Sequence, residues 1–141
     1  MDEHCVYLGL GSNLGDREEN ILRAVNRINE LIGTVECQSA LFDTKPWGFD
    51  SANRFLNAVV RVKTSLTPRQ ILDASKQIER EMGRRKKSRL KNDKPVYQDR
   101  LIDIDILLYD DITVDEPDLQ IPHPLMKERD FVMIPLKQVL L

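Results

Sequence analysis

Two histidines, two cysteines and one tryptophan in 141 residues leave little material for metal clusters or covalent catalysis. Cys5 and Cys37 lack the spacing of a metal motif, and two cysteines do not make a disulfide framework. They are expected to be buried thiols in a reducing cytoplasm. No Ser/His/Asp or Cys/His arrangement stands out. No apolar run approaches the ~20 residues of a membrane helix, and the N-terminus lacks a basic-then-apolar signal pattern. The expectation is a cytoplasmic protein with no membrane and no nucleic acid as partner, acting as a monomer on small molecules. Repeats, low-complexity tracts and linkers are absent, so residues 1–141 read as a single domain. Hydrophobic content of 41% and charged content of 31% exclude a disordered chain.

The net charge of −2 conceals an uneven distribution. Residues 84–94 hold seven bases (Arg84, Arg85, Lys86, Lys87, Arg89, Lys91 and Lys94) and one acid, Asp93. That leaves 14 of the 21 bases against 22 of the 23 acids elsewhere, a net of −8. A basic island on an acidic body suits one local anionic ligand better than a long nucleic-acid track, although a solvated loop has the same composition. With few apolar anchors, the segment from about Arg84 to Gln98 is expected to move and to close over bound ligands.

Periodicity predicts strands over Cys5–Gly11, Thr34–Thr44, Arg54–Thr64 and Leu101–Tyr109. In the first, Val6, Leu8 and Leu10 share one face and Tyr7 and Gly9 the other. In the third, Leu56, Ala58, Val60 and Val62 oppose Phe55, Asn57, Val59 and Arg61. A helix follows the first strand, with Asp16 and Glu19 as its cap, Ile21, Val25, Ile28 and Ile32 as its stripe, and Gly33 closing it. A second opens at Thr67-Pro68-Arg69-Gln70 and stops at Gly83. The prolines beyond residue 110 predict turns and short helical pieces. The order implies an α+β, ferredoxin-like βαββαβ fold: a mostly antiparallel sheet with the helices packed on one face and the other left open.

Asp103 and Asp105 carry the strongest chemical signal. Alternate strand residues share a face, which sets the two carboxylates about 6.6 Å apart while Ile102, Ile104 and Ile106 point into the core. A divalent cation relieves their repulsion, and magnesium typically takes one or two carboxylates plus substrate phosphates. Incidental acids on a solvated face are the bland alternative, disfavoured because aspartate is depleted in strands. The run from Gly9 to Gly15 misses the dinucleotide fingerprint, since Leu14 stands in the place of its third glycine; it reads as a tight turn. Phe55 beside Asn57 suits a flat heterocycle, although an aromatic on a strand is more often simple packing. His123 and Arg129 lie in a proline-fixed turn where both could contact phosphate, although a lone histidine is usually structural.

Several motifs, in order, resemble those of the 6-hydroxymethyl-7,8-dihydropterin pyrophosphokinase family of folate biosynthesis. They are Gly11-Ser12-Asn13-Leu14-Gly15, Thr44 through Gly48, Phe55-Leu56-Asn57-Ala58, Glu79 with Gly83-Arg84, Arg100 through Asp105, and Pro122-His123 through Phe131. The resemblance implies transfer of a diphosphate from ATP to the pterin hydroxymethyl group, with AMP released. It implies two magnesium ions on Asp103 and Asp105, and Arg84 and Arg100 positioning the phosphates. ATP would be contacted by Glu79, Lys87, Tyr97, Arg100, Ile106, His123 and Arg129. The pterin would lie between Phe55 and Phe131, its polar edge read by Asn57 and by Thr44, Lys45, Pro46 and Trp47. An RNA-binding module of the same fold, or a regulatory domain without catalysis, is the rival reading; neither predicts AMP release.

Overall fold

Alternation at the start of the chain survives folding: Val6, Leu8 and Leu10 enter the main core, while Tyr7 joins a smaller cluster on the opposite face. These residues belong to β1 (His4–Ser12) in a computed structural model that describes residues 3–44, 54–83, 90–91, 94–95 and 101–141. The elements that follow are α1 (Arg17–Leu31), β2 (Thr34–Gln38), β3 (Phe42–Thr44), β4 (Phe55–Thr64) and α2 (Pro68–Glu81). Then come β5 (Leu90–Lys91), β6 (Lys94–Pro95), β7 (Asp103–Tyr109), β8 (Val114–Glu116) and β9 (Leu119–Ile121), a 3-10 turn (Met126–Glu128) and α3 (Asp130–Val139).

β1 lies at the centre, antiparallel to β4 on one side and to β7 on the other, and the sheet runs β2-β4-β1-β7. That order, with α1 and α2 burying Ile21, Ile28, Ile71 and Ile78 against one face, is the ferredoxin-like α+β arrangement implied by the sequence. Both helices begin on their predicted caps. Asp16 accepts the Glu19 N–H at 3.1 Å, and Thr67 and Gln70 exchange both bonds of a capping box. Each cap is worth about 0.5–2 kcal/mol.

Two expectations change. The strand expected over Thr34–Thr44 is broken into β2 and β3, because Ser39 bends the chain. Its hydroxyl, rather than a backbone carbonyl, accepts the Val59 N–H at 2.9 Å, and the next amide, of Ala40, turns away to Gln138. The stretch beyond residue 110, expected as turns and short helical pieces, holds the β8–β9 hairpin and a ten-residue helix. α3 contains Pro135 yet persists, because Val132, Pro135, Leu136 and Val139 bury one side of it on Tyr7, Val59 and Leu107. The sheet face opposite α1 and α2 is therefore covered over part of its length. Cys5 and Cys37 are half-buried free thiols packed against that second cluster. β5 and β6 pair with each other, and the closure expected for residues 84–98 falls almost wholly outside the described residues.

The β1–β7 ladder contains a bulge: Leu8 faces Ile106, Tyr7 faces Leu108, and Leu107 is the extra residue. Gly33 has a different task from the left-handed cap expected of it. Its φ is unremarkable, but a Cβ there would stand 2.1 Å from the Lys63 carbonyl oxygen. Gly33→Ala should thus force α1 away from β4 and lower stability by about 1–3 kcal/mol. Urea denaturation measures this directly, and an unchanged midpoint would refute the close approach.

Candidate active site

On the face opposite α1 and α2, four strands align their residues in rows. Asp103 of β7 faces Gly11 of β1, which faces Asn57 of β4, which faces Phe42 of β3. One row further on, Asp105 faces Gly9, which faces Val59. With strands about 4.8 Å apart, the carboxylate row and the Asn57 row stand about 10 Å apart across a strand that offers glycine where it passes between them. Gly9 and Gly11 are not identical in effect. The space a Cβ would take at Gly9 is bordered by the Leu107 side chain at 3.4 Å. At Gly11 it is bordered by Asn57 Oδ1 at 3.3 Å and the Phe55 ring at 3.5 Å. Gly11 is thus the floor of a cleft with acids on one bank and an aromatic ring with an amide on the other. Both glycines lie in β1, as the strand expected over Cys5–Gly11 implies, and the tight turn read for the Gly9–Gly15 run begins only after Ser12. Their spacing of two, on the face that carries Tyr7, was the available signal.

The amide bank is held firmly. Asn57 is buried, and its Nδ2 donates to the Phe42 carbonyl at 3.1 Å, which fixes the amide plane and turns Oδ1 to the Gly11 side. Thr44 pairs with Phe55 across β3 and β4. Next to that pair, the Arg17 guanidinium donates to the Arg54 carbonyl at 2.9 Å, and Arg54 Nε donates to the Asp43 carboxylate at 2.9 Å. The hydrogen bond from Arg54, with Arg17 adding to it, holds the Asp43 carboxyl below the usual range against the opposing effect of burial. Lys45, Pro46 and Trp47, named for the pterin, lie outside the described residues.

On the acidic bank, Glu79 is buried on α2 and its Oε2 accepts the N–H of Ile104 at 2.8 Å. It therefore braces β7 between the two aspartates. Ile106 is buried with its side chain in the main core, so only its backbone faces the strand edge. Among the described residues no group of three or more His, Cys, Asp or Glu converges as a metal cluster. The Asp103–Asp105 pair is a donor set of hard oxygens, incomplete alone, and it fits an ion that completes its shell with substrate oxygens and water. Arg84, Lys87, Tyr97 and Arg100 lie outside the described residues.

The proline-rich stretch brings the remaining expected residues to the same side. The His123 N–H meets the Leu107 carbonyl at 3.0 Å, and Nδ1 accepts from the Leu125 N–H at 3.3 Å, which favours the neutral ring protonated on Nε2. The Arg129 guanidinium lies 5.7 Å from the centre of the Phe131 ring at the start of α3. Burial, with Arg129 adding to it, pushes the His123 ring below its ordinary value, while Asp103 opposes them. In NMR titration of the free protein, the His123 ring should reach its midpoint below the usual value of about 6.5. Since the unfolded chain takes up that proton first, this group lowers stability as pH falls from about 6.5 through the folded midpoint. A midpoint at or above 6.5 would contradict the buried placement.

Comparison with known proteins bears on the whole chain. The family model described as 7,8-dihydro-6-hydroxymethylpterin-pyrophosphokinase (HPPK) matches residues 7–140. A 2-amino-4-hydroxy-6-hydroxymethyldihydropteridine pyrophosphokinase of Porphyromonas gingivalis is 47% identical over 95% of this chain and 89% of its own length. One from Aquifex aeolicus is 43% identical over 95% and 79%. Among solved structures, wild-type HPPK-DHPS of Plasmodium falciparum superposes with a TM-score of 0.72 at 16% identity, covering 96% of this chain. This chain spans only 39% of the length of that protein, and the likeness concerns the fold alone. Sequence match and fold agree, and this chain belongs to the 7,8-dihydro-6-hydroxymethylpterin-pyrophosphokinase family.

Proposed function

We propose that this chain transfers the diphosphate of ATP to the hydroxymethyl group of 6-hydroxymethyl-7,8-dihydropterin, in folate biosynthesis, with the two substrates meeting over Gly11. The observation that supports this reading is the register Asp103–Gly11–Asn57, which sets a carboxylate and an amide on either side of a glycine. The pterin would rest beside Phe55 and under Phe131, its polar edge against Asn57 Oδ1 and the Thr44–Trp47 stretch. ATP would lie along β7, contacted by His123, Arg129, the backbone of Ile106 and, on sequence grounds, Lys87 and Tyr97. Glu79 would serve the nucleotide side indirectly, through the edge of β7 that it braces.

Asp103 and Asp105 would hold magnesium, two ions by family resemblance. When bound, magnesium supplies neutralisation of the triphosphate and of the group in transit. The pterin hydroxyl oxygen bonds to the β-phosphorus, the bond from that phosphorus to the α-β bridging oxygen breaks, and AMP leaves with that oxygen. The hydroxyl proton passes to solvent. The residues bind and align these atoms and need no covalent intermediate, because transfer of this kind depends chiefly on positioning and electrostatics. Arg84 and Arg100 are proposed to steady the phosphates. The free thiols Cys5 and Cys37 are compatible with work in the cytoplasm, and we take the acting unit to be a monomer.

An assay of AMP release from ATP, magnesium and the reduced pterin tests the activity. Asp105→Asn should lower turnover by at least about a hundredfold while the fold persists, in line with losing one group that stabilises transition-state charge. Near-normal AMP formation by the folded variant would remove the metal role. Asn57→Ala should weaken the pterin roughly ten- to a hundredfold, the cost of an unpaired polar edge, and largely spare ATP. Calorimetry that finds equal losses for both ligands would overturn that assignment.

A further inference from the structure

Arg61 puts a guanidinium in the middle of the sheet with its side chain only 16% exposed, and it takes no part in the substrate contacts proposed above. Its Nη1 donates to the Val139 carbonyl in the last turn of α3. Its Nε is buried without a hydrogen-bond partner, the Glu36 carboxylate standing off at 3.6 Å. A buried charge with so partial a set of partners adds little to stability; an apolar side chain of similar volume serves as well or better. What a guanidinium adds here is direction, since it grips carbonyl oxygen at the negative end of a helix.

Two neighbours act on the same turn. The Tyr7 hydroxyl accepts the Leu141 N–H at 3.2 Å, and Gln138 Oε1 accepts the Ala40 N–H at 2.8 Å. The C-terminal turn of α3 is thereby tied to β1, β4 and the link between β2 and β3. The opposite end begins at Arg129, which gives the helix no side-chain cap. Phe131 sits in that first turn, about 12 Å along the helix axis from Val139. Pro135 removes one hydrogen bond within this span, but the packing of Val132, Leu136 and Val139 in one cluster holds the two turns together, so the grip at one end bears on the position of the ring at the other.

We propose that Arg61, seconded by Tyr7, is a positioning residue that places Phe131 over the pterin side of the cleft by holding the far end of α3. This rests on the reading of Phe131 as a pterin contact, and a double-mutant cycle separates the two. Affinity for 6-hydroxymethyl-7,8-dihydropterin is measured with magnesium and a non-hydrolysable ATP analogue present, in Arg61→Met, Phe131→Ala and the double variant. Arg61→Met is expected to weaken the pterin roughly three- to tenfold, and the double variant to bind within about twofold of Phe131→Ala alone, since coupled residues are not additive. Arg61→Lys should regain part of the loss. A folded Arg61→Met with a lower melting temperature but unchanged pterin affinity would make Arg61 merely structural and overturn the proposal. Losses that multiply in the double variant would overturn it too. If Phe131→Ala alone binds normally, the pterin contact itself fails, and the proposal falls with it. Should Arg61→Met not fold, Tyr7→Phe removes only a hydroxyl and goes through the same cycle under the same criteria.

Discussion

Strand β1 must be hydrogen-bonded along both edges while presenting no side chain at Gly9 and Gly11 on one face. Everything in the candidate site depends on that pairing. Its partner β7 carries acids opposite the glycines, and its partner β4 carries Asn57 and Val59. A slip of one residue in the β1–β7 ladder would turn Asp103 and Asp105 into the main core and Ile104 outward, and one in the β1–β4 ladder would do the same to Asn57 and Ala58. The isoleucines of β7 and the valines of β4 prevent this by filling the core on the alternate positions. The apolar core therefore sets the register, and the register sets the chemistry.

The two faces of the sheet divide the work. Under α1 and α2 one face is continuous core; the other is shared between the cleft and α3. Glu79 shows how the two sides communicate. It reaches from α2 to the outer edge of β7 and accepts a backbone amide that an edge strand would otherwise leave to solvent. A carboxylate from the core side thus steadies the strand whose own carboxylates face the cleft.

Much of this was legible in the sequence wherever one period dominated. The faces of β1, β4 and β7 follow from alternation, the helix starts from their caps, and the acid pair from its spacing. The failures have particular causes. α3 shows helical spacing at Val132, Leu136 and Val139, but Pro135 reads as a breaker until the second cluster is there to outweigh the lost hydrogen bond. The interruption between β2 and β3 depends on Ser39 reaching a strand distant in sequence, which no local pattern reveals. The strand that holds Gly9 and Gly11 is legible, but the place of Gly11 between Asp103 and Asn57 is not, since it depends on which strands pair on either side. Arg61 was legible as a residue on the cleft face but not as a hold on α3, because Val139, whose carbonyl it grips, is 78 residues away.

The bulge at Leu107 separates the phase of one half of β7 from that of the other. Leu107 and Leu108 both turn to the second cluster, after which Tyr109 returns to the main core. A strand without this extra residue would transmit any shift at its far end straight to the aspartates, rotating both together. With it, the segment from Leu108 onward can change its twist without altering the direction of either carboxylate. The bulge works as a slip joint: it lets the periphery of the molecule vary while the acid pair keeps its orientation.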